Sequence, residues 1–273
     1  GPVAKLLPSA HAIEREFAVM SGLADTEVPV AKMHCLCEDE SVIGRAFYLM
    51  EFMQGRVLWD QSLPGMQPAE RAAIYDEMNR VIAALHSVKF AERGLAGYGK
   101  PGNYFERQIG RWSKQYVASV TQPIPEMDKL MEWLPQNIPD SAKSETLVSI
   151  VHGDYRLDNL IFHPTEPRVL AILDWELSTL GHPLADFSYH CMAWHISPGT
   201  FRGIGGLDLP ALGIPNKPTS ANTFNSRRNL YSSPGRPVVF CLGARLVLLL
   251  KCKLPQPPAP PFARHKRCPW KVK

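Results

Sequence analysis

Three oxygen-bearing side chains lie at the ends of short apolar segments in the middle of the chain. Asp154 follows a segment that ends at Val151, Asn159 precedes a second segment, and Asp174 directly follows a third. The second and third segments have the pattern of one hairpin, so we expect the three side chains to lie close together. Asp154 could accept a hydroxyl proton, while Asn159 and Asp174 could supply hard oxygen ligands for Mg²⁺. The chemistry that needs this set is phosphoryl transfer, in which positioning and charge neutralisation supply most of the rate.

The sequence around these residues resembles that of a known superfamily. The spacing from Asp154 to Asn159 equals that from Asp to Asn in the protein-kinase catalytic loop, and Asp174 stands where kinases carry the metal-binding Asp of D-F-G. His152-Gly153-Asp154, within V-H-G-D-Y-R-L-D-N-L-I-F-H, and the later L-D-W-E-L-S-T-L-G-H-P-L-A-D resemble the aminoglycoside phosphotransferase and choline kinase superfamily. The branch they resemble includes bacterial phosphotransferase-family proteins and the kinase-like domain of acyl-CoA dehydrogenase family members ten and eleven.

This resemblance covers residues 6–215 and implies a two-lobed α+β fold like that of protein kinases. Residues 1–53 would form a partial small lobe. Residues 54–215 would form a mainly helical and incomplete large lobe that carries the catalytic hairpin. Family members place a glycine-rich loop and an ATP-binding Lys before the first helix. The chain begins after that point, so we expect a small lobe truncated at its N-terminus.

The resemblance also implies roles for individual residues. Asp154 would be the catalytic base, Asn159 and Asp174 the Mg²⁺ ligands, and His152 a catalytic-loop residue whose ring braces the backbone. Asp186 would accept hydrogen bonds from that backbone and preorganise the loop. An ordinary first-turn Asp favoured by a helix dipole is the alternative.

Two other segments are assigned to ATP. Glu16, on the first helix, matches the Glu that pairs with the ATP-binding Lys, although a solvated helix charge would have the same sequence pattern. Glu51, Phe52 and Met53 match the hinge whose backbone groups bind adenine, and an ordinary strand that leads into a loop is the alternative. ATP and Mg²⁺ are therefore the expected cofactors.

Hydrophobic periodicity predicts the elements that carry these residues. Helices are expected after an N-cap at Ser9, with an apolar stripe through residue 20, at 68–86, after an N-cap at Asn103, at 127–134 and after 181–183. Strands are expected at 30–37, 45–52, 160–163 and 169–173. His86, at the end of the second helix, is interpreted as a packing residue rather than a ligand.

Other interpretations of the same residues remain open. A metallohydrolase would need His152, Asp154, His163 and Asp174 to converge on one ion, but His163 lies on the outgoing strand and is expected to point away. Arg156 and Asp158 could contact the substrate or form a surface ion pair. A non-catalytic kinase-like interaction module, or an inactive fragment, is the alternative to an enzyme.

Charge is divided unevenly along the chain. The formal net charge is +4, yet the first 215 residues carry 18 basic and 26 acidic side chains, which argues against nucleic-acid binding there. Residues 216–273 carry 12 basic side chains and no acidic ones, and are rich in Pro. This composition is typical of disorder, and a frameshifted end, a polybasic membrane-surface anchor and a partner-binding tail all fit it.

Membrane insertion and disulfides are not expected. The apolar run at 238–250 contains Arg245 and is shorter than the ~20 residues that a membrane span requires. Six cysteines without paired metal spacing are typical of free thiols in a reducing cytosol, so we predict a cytoplasmic location.

The acceptor is expected to be a small-molecule hydroxyl. The acidic body of the chain would suit a cationic alcohol such as an aminoglycoside or choline. The branch resemblance instead favours a hydroxyacyl-CoA or a hydroxy acid, together with a functional link to an acyl-CoA dehydrogenase.

Overall fold

A computed structural model of the protein describes residues 13–100, 102–138, 147–199 and 203–216. The predicted tail from residue 217 onward lies outside the described residues, as do residues 1–12. The helices of the described part, in chain order, are α1 (Ile13–Leu23), α2 (Pro68–Ser87), α3 (Tyr104–Ser119), α4 (Pro125–Gln136), α5 (Pro183–His190) and α6 (Leu209–Leu212). The strands are β1 (Met33–Cys37), β2 (Phe47–Met50), β3 (Arg56–Val57), β4 (Ser149–Val151), β5 (Leu160–Phe162), β6 (Val169–Ile172) and β7 (Thr179–Gly181).

The first helix and hairpin form the small-lobe part of the structure. Strands β1 and β2 pair antiparallel with Leu36 opposite Tyr48, as the sequence predicts, although both are shorter than expected. Helix α1 packs against both strands and buries Val19, Met20 and Leu23 in the main core. It also contacts the turn that follows Asp174, so the small-lobe helix is attached directly to the site.

Helix α2 is the main helix of the large lobe. It begins at Pro68, where the missing amide hydrogen costs nothing, and the side chain of Glu70 accepts a hydrogen bond from the Gln67 amide at 2.7 Å. Its apolar face packs against β4 and β6, and every member of the predicted stripe is buried: Tyr75, Met78, Ile82 and Leu85. None of the described helices is both long and apolar enough to cross a membrane.

Two small sheets bring the catalytic segments together. Strands β3, β5 and β6 form one antiparallel sheet, with Leu160 opposite Ile172. Strands β4 and β7 form the other, with Ile150 opposite Leu180. The predicted hairpin is therefore present, and the strand that precedes His152 pairs with the strand that leads into α5.

Helices α3 and α4 pack against each other and make a separate cluster around Ile109, Tyr116 and Met127. The predicted side-chain cap at Asn103 is wrong. Asn103 does precede α3, but its φ of 44° is left-handed and its side chain makes no cap hydrogen bond. The helix instead begins with the Asn103 carbonyl, which accepts from the Arg107 amide at 3.1 Å.

A buried histidine stabilises the end of α5. The ring of His190 packs edge-on or tilted against Tyr155, Phe187 and Trp194, at centroid distances of 5.7, 6.0 and 5.5 Å. Its Nε2 atom has no hydrogen-bond partner among the described residues. Burial lowers the pKa of His190 to about 4, against a weaker opposite effect of the Asp186 charge, so the ring is neutral in the folded protein.

This burial predicts a loss of stability in mild acid. Between about pH 4 and 6.5 the unfolded chain binds a proton at His190 that the folded chain does not, so stability is fully present above pH 6.5 and falls as the pH drops. From pH 7 to pH 5.5 the expected loss from this group is about 1 kcal/mol. Urea unfolding at several pH values measures it.

The matched comparison is between two histidine variants. His190→Phe should flatten the pH dependence of the unfolding free energy in this window, because the aromatic shape stays and the titrating group is gone. His34→Gln, at an exposed position on β1, should leave the dependence as in the parent protein. Equal pH dependence in the parent protein and in His190→Phe would contradict the assignment.

Candidate active site

One carboxylate secures the backbone of the catalytic loop. Asp186, in the first turn of α5, is only 2% exposed. It accepts hydrogen bonds from the amides of His152 at 2.8 Å and Gly153 at 2.9 Å, and lies 3.1 Å from His86 Nε2. Burial alone would raise the pKa of Asp186, but the His86 contact and the bonds from the loop lower it below its usual value. The side chain therefore remains an ionised acceptor.

The loop needs glycine at its second position. Gly153 has a φ of 81°, a left-handed conformation that other residues rarely adopt. A Cβ atom added there would come within 2.8 Å of the carbonyl oxygen of Leu177. The sequence His152-Gly153-Asp154 thus gives a sharp turn that packs closely on the segment after Asp174.

The ring of His152 connects the loop to the hairpin. Its Nδ1 accepts from the Asp154 amide at 3.2 Å, which places the ring proton on Nε2, and Nε2 donates to the Leu173 carbonyl at 2.8 Å. The ring is fully buried and packs on Trp175 at 4.9 Å. Both nitrogens are used in these bonds, so His152 supports the backbone and is not placed for proton transfer.

Asn159 is bonded to the loop from inside. Its Nδ2 donates to the backbone carbonyl of Asp154 at 2.8 Å and lies 3.3 Å from Asp154 Oδ2. Two acceptors on that side fix the orientation of the amide, so Oδ1 points away from them, as a cation ligand requires. The backbone carbonyl of Asn159 also accepts a hydrogen bond from the Leu173 amide at 2.8 Å, and Asp174 is the residue that follows Leu173.

Asp174 stands at the end of the hairpin. Its φ of 64° is left-handed, a region that is uncommon for non-glycine residues but that Asp adopts more readily than most. Its carboxylate is exposed, and its charge acts on both Tyr48 and Arg156. An amide oxygen from Asn159 and a carboxylate from Asp174 are the hard ligands that Mg²⁺ prefers, so the residues present fit that ion.

Asp154 is buried to 8% exposure and is surrounded by polar groups. Arg156 Nε lies 3.6 Å from its Oδ1, and the Asp154 charge is one cause, after burial, of the raised pKa of Tyr189. Arg156 also lies 3.3 Å from Asp158. Burial would lower the pKa of Arg156, yet the charges of Asp154, Asp158 and Asp174 raise it overall. All three acidic groups therefore act on the same guanidinium.

The small lobe contributes Glu16. The Tyr48 hydroxyl donates a hydrogen bond to the Glu16 carboxylate at 3.0 Å. Burial, the Glu16 charge and the Asp174 charge together raise the pKa of Tyr48 to about 12. Helix α1 is fixed beside the site by Arg15, which donates to the Ser178 carbonyl at 3.3 Å. Glu16 therefore lies beside Tyr48, on which the Asp174 charge also acts.

The predicted hinge lies directly after β2. The Glu51 amide donates to the Lys32 carbonyl at 2.8 Å, the Phe52 side chain is 84% exposed, and Met53 is half-buried. Their adenine-binding role stays a prediction.

The metallohydrolase alternative has no geometric support. The Nδ1 atom of His163 accepts the Glu166 amide at 3.2 Å within the turn between β5 and β6. Among the described residues there is no group of three His, Cys, Asp or Glu side chains that could bind a metal ion. The candidate Mg²⁺ site differs from such a group, because one of its ligands would be the amide oxygen of Asn159.

A cavity of about 70 Å³ adjoins the catalytic loop. Helix α3 supplies most of its wall, α5 and the loop supply the rest, and the lining is aromatic with one cationic side chain. The residues that face it include Tyr104, Phe105, Gln108, Arg111, Trp112, Gly153, Leu177 and Tyr189. The guanidinium of Arg111 lies 5.5 Å from the centre of the Trp112 ring.

Sequence reasoning missed two residues of the site. His86 was interpreted as packing, but it is bonded to Asp186, 100 positions away. A polar residue next to the predicted apolar stripe of α2 was the available signal, because a buried ring nitrogen needs a partner. Tyr189 lies three positions after Asp186 on α5, and that helical spacing was the signal for a shared face.

Comparison with known proteins agrees with this geometry. A model of the phosphotransferase enzyme family matches residues 3–207. Acyl-CoA dehydrogenase family member 10 of Mus musculus is 50% identical over 217 residues, which are 78% of this chain and 20% of that protein. The chain spans only 20–29% of the length of the first curated relatives that it matches.

Solved structures give the same result. A candidate aminoglycoside phosphotransferase from Ralstonia eutropha is 63% identical, with a TM-score of 0.80 over 89% of this chain and 71% of that one. An aminoglycoside phosphotransferase from Streptomyces rimosus, in complex with ADP and streptomycin, is 15% identical with a TM-score of 0.56 and shares the fold; 89% of this chain and 82% of that one are covered. The chain therefore belongs to the phosphotransferase enzyme family and has its α+β kinase-like fold.

Proposed function

We propose that the chain transfers the γ-phosphoryl group of ATP to a hydroxyl group of a small molecule, with Mg²⁺ as cofactor. The observation that carries this proposal is the position of Asn159. Its side-chain Nδ2 donates to the Asp154 backbone carbonyl, while its own backbone carbonyl accepts from Leu173, the residue before Asp174. Asn159, itself a candidate metal ligand, thus connects the candidate base to the second candidate ligand. Family membership supports the reaction class.

In the proposed reaction Asp154 receives the proton of the acceptor hydroxyl. The hydroxyl oxygen forms a bond to the γ-phosphorus, the bond from that phosphorus to the β,γ-bridging oxygen breaks, and ADP leaves. Asn159 Oδ1 and the Asp174 carboxylate would bind Mg²⁺, which when bound neutralises charge on the phosphate oxygens. Arg156, next to Asp154, adds positive charge at the same place.

Nucleotide binding is proposed for the cleft between Glu16 and the hinge at residues 51–53. The Streptomyces rimosus relative binds ADP, which supports a nucleotide site in this fold. The charges of Glu16 and Asp174 both act on Tyr48, and two acidic groups in this region favour a nucleotide that carries its own divalent cation.

For the acceptor we propose an anionic hydroxy compound, such as a hydroxy acid or a hydroxyacyl-CoA. The cavity next to Gly153 has aromatic walls and the cationic Arg111, while the one acidic residue that faces it, Asp186, is buried and bonded to the loop. A polycation would find little there to bind. The names of the curated relatives support a functional link to an acyl-CoA dehydrogenase.

The role of Asp154 is tested by Asp154→Ala. Phosphoryl transfer from MgATP should fall by at least ~100-fold, the scale of a lost general base. MgATP should still raise the melting temperature, because the proposed metal ligands remain and a ligand that binds only the folded state stabilises it. Turnover is measured by ADP release and binding by thermal shift.

The control is Asp76→Ala, at an exposed position on the far part of α2, which should leave turnover unchanged. Unchanged turnover in Asp154→Ala would contradict the assignment of the base. The absence of any MgATP-dependent thermal shift in the parent protein would instead favour a non-catalytic kinase-like module.

The acceptor class is tested with Arg111→Gln. With 3-hydroxybutyrate and 3-hydroxybutyryl-CoA as acceptors, KM for the acceptor should rise about tenfold, since a charge-assisted contact contributes about 1.5–3 kcal/mol, and KM for ATP should not change. Lys114→Gln removes the same charge one turn along α3 and should have little effect. Preferential transfer to streptomycin or choline would contradict the proposed class.

A further inference from the structure

Two neighbouring residues of α1 contact different parts of the molecule. Glu16 accepts a hydrogen bond from the Tyr48 hydroxyl on β2, at 3.0 Å. Arg15, the residue before it, contacts the large lobe. Its Nη2 donates to the Ser178 carbonyl at 3.3 Å, and its guanidinium lies 4.4 Å from the centre of the Tyr98 ring. Consecutive residues of a helix point about 100° apart, so α1 can contact both lobes at the same time.

The two partners of Arg15 are bonded to each other and to the turn that follows Asp174. The Ser178 hydroxyl donates to the Trp175 carbonyl, so its oxygen is the acceptor for the Tyr98 hydroxyl at 2.5 Å. The Ser178 amide also donates to the Trp175 carbonyl, at 3.0 Å. Both Ser178 and Tyr98 are buried. Arg15 therefore contacts a hydrogen-bonded group in the interior, not a free surface side chain.

The segment that carries Tyr98 packs closely on both sides of this contact. Leu95 and Tyr98 belong to the same core cluster as Leu23 of α1. A Cβ atom added at Gly99 would come within 2.6 Å of the amide nitrogen of Leu180 on β7, so glycine is needed for this approach. The Tyr98 ring is thus fixed between α1 and β7 and gives Arg15 a defined position.

We propose that Arg15 is a positioning residue for the nucleotide, which fixes α1 relative to the turn after Asp174 through its contacts with Ser178 and Tyr98. The inference rests on the proposed function for the nucleotide site and for Asp174 as a metal ligand. Glu16 and Asp174 lie on the two segments that Arg15 joins, so loss of the contact would change their relative position. Most of the wall of the proposed acceptor cavity comes instead from α3 and α5.

The contact itself is tested by a double-mutant cycle that needs no activity. Arg15→Met keeps an apolar stem and removes the guanidinium, and should lower the melting temperature of the parent protein by about 2–4 °C. In the Tyr98→Leu background, which lacks the aromatic ring, the same substitution should lower it by clearly less. Equal decreases in the two backgrounds would overturn the proposal.

Amide hydrogen exchange tests the same contact if Tyr98→Leu does not fold. Exchange at residues 175–178 should be faster in Arg15→Met than in the parent protein, because the turn opens more easily. Arg93→Met is the matched control, since Arg93 donates to the Ala24 carbonyl at 3.5 Å, next to the other end of α1. It should leave exchange at the turn unchanged. Unchanged exchange at the turn in Arg15→Met would overturn the proposal.

The role in nucleotide binding is tested by comparing the two substrates. Arg15→Met should raise KM for ATP and the Kd for MgADP about tenfold and leave KM for the acceptor unchanged. Arg15→Lys should restore most of the affinity, because an ammonium group can also lie over the Tyr98 ring. Arg93→Met should change neither KM. A purely structural role would lower the active fraction without changing KM for ATP, and that result would overturn the proposal.

The outcomes separate this inference from the proposed function. Absence of an MgATP-dependent thermal shift in the parent protein would defeat the proposed function and, with it, the positioning role of Arg15. A parent protein that binds MgATP, together with an unchanged KM for ATP in Arg15→Met, would leave the proposed function intact and overturn the role of Arg15. Coupled effects on stability together with a selective rise in KM for ATP support both.

Discussion

The site depends on one buried carboxylate. Asp186 is ionised in the interior because three N–H donors replace its lost hydration: the amides of His152 and Gly153 and the ring of His86. Without Asp186, each of these buried donors would lose its acceptor, and each loss would cost about 1–3 kcal/mol of folding stability. The conformation of the catalytic loop and the charge state of Asp186 therefore stabilise each other.

The backbone of Leu173 connects this loop to the candidate metal ligands Asn159 and Asp174. Its carbonyl accepts from His152 Nε2 and its amide donates to the carbonyl of Asn159, both at 2.8 Å. The next residue, Asp174, is thus placed relative to Asp154 by backbone hydrogen bonds. Helix α1 of the small lobe packs against the turn that follows Asp174.

Much of this site could be predicted from sequence because its central part is local. Asp154, Asn159 and Asp174 lie within 21 positions, and one hairpin, whose strands two short apolar runs indicate, brings them together. The fold and the family followed from the same stretch. The contacts of His86 and Tyr48 could not be predicted, since they join residues 100 and 32 positions away and arise only from helix packing.

Local rules also failed in a specific way at Asn103. The residue type favours a side-chain cap, but the backbone turns left-handed there, and the side chain no longer reaches the first-turn amides. The lobe boundaries, the hinge at residues 51–53 and the basic tail stay predictions, because hinge roles depend on backbone groups that residue types do not specify and the tail lies outside the described residues.

The central claim is that Asn159 and Asp174 bind one divalent cation while Asp154 remains available for the proton. A crystal structure with Mn²⁺ and a non-hydrolysable ATP analogue tests this most directly, because anomalous scattering locates the metal. We expect a manganese ion at about 2.0–2.2 Å from Asn159 Oδ1 and from an Asp174 oxygen, with Asp154 outside its coordination sphere. A metal bound by Asp154 in place of Asn159, or a nucleotide phosphate far from all three residues, would contradict the account.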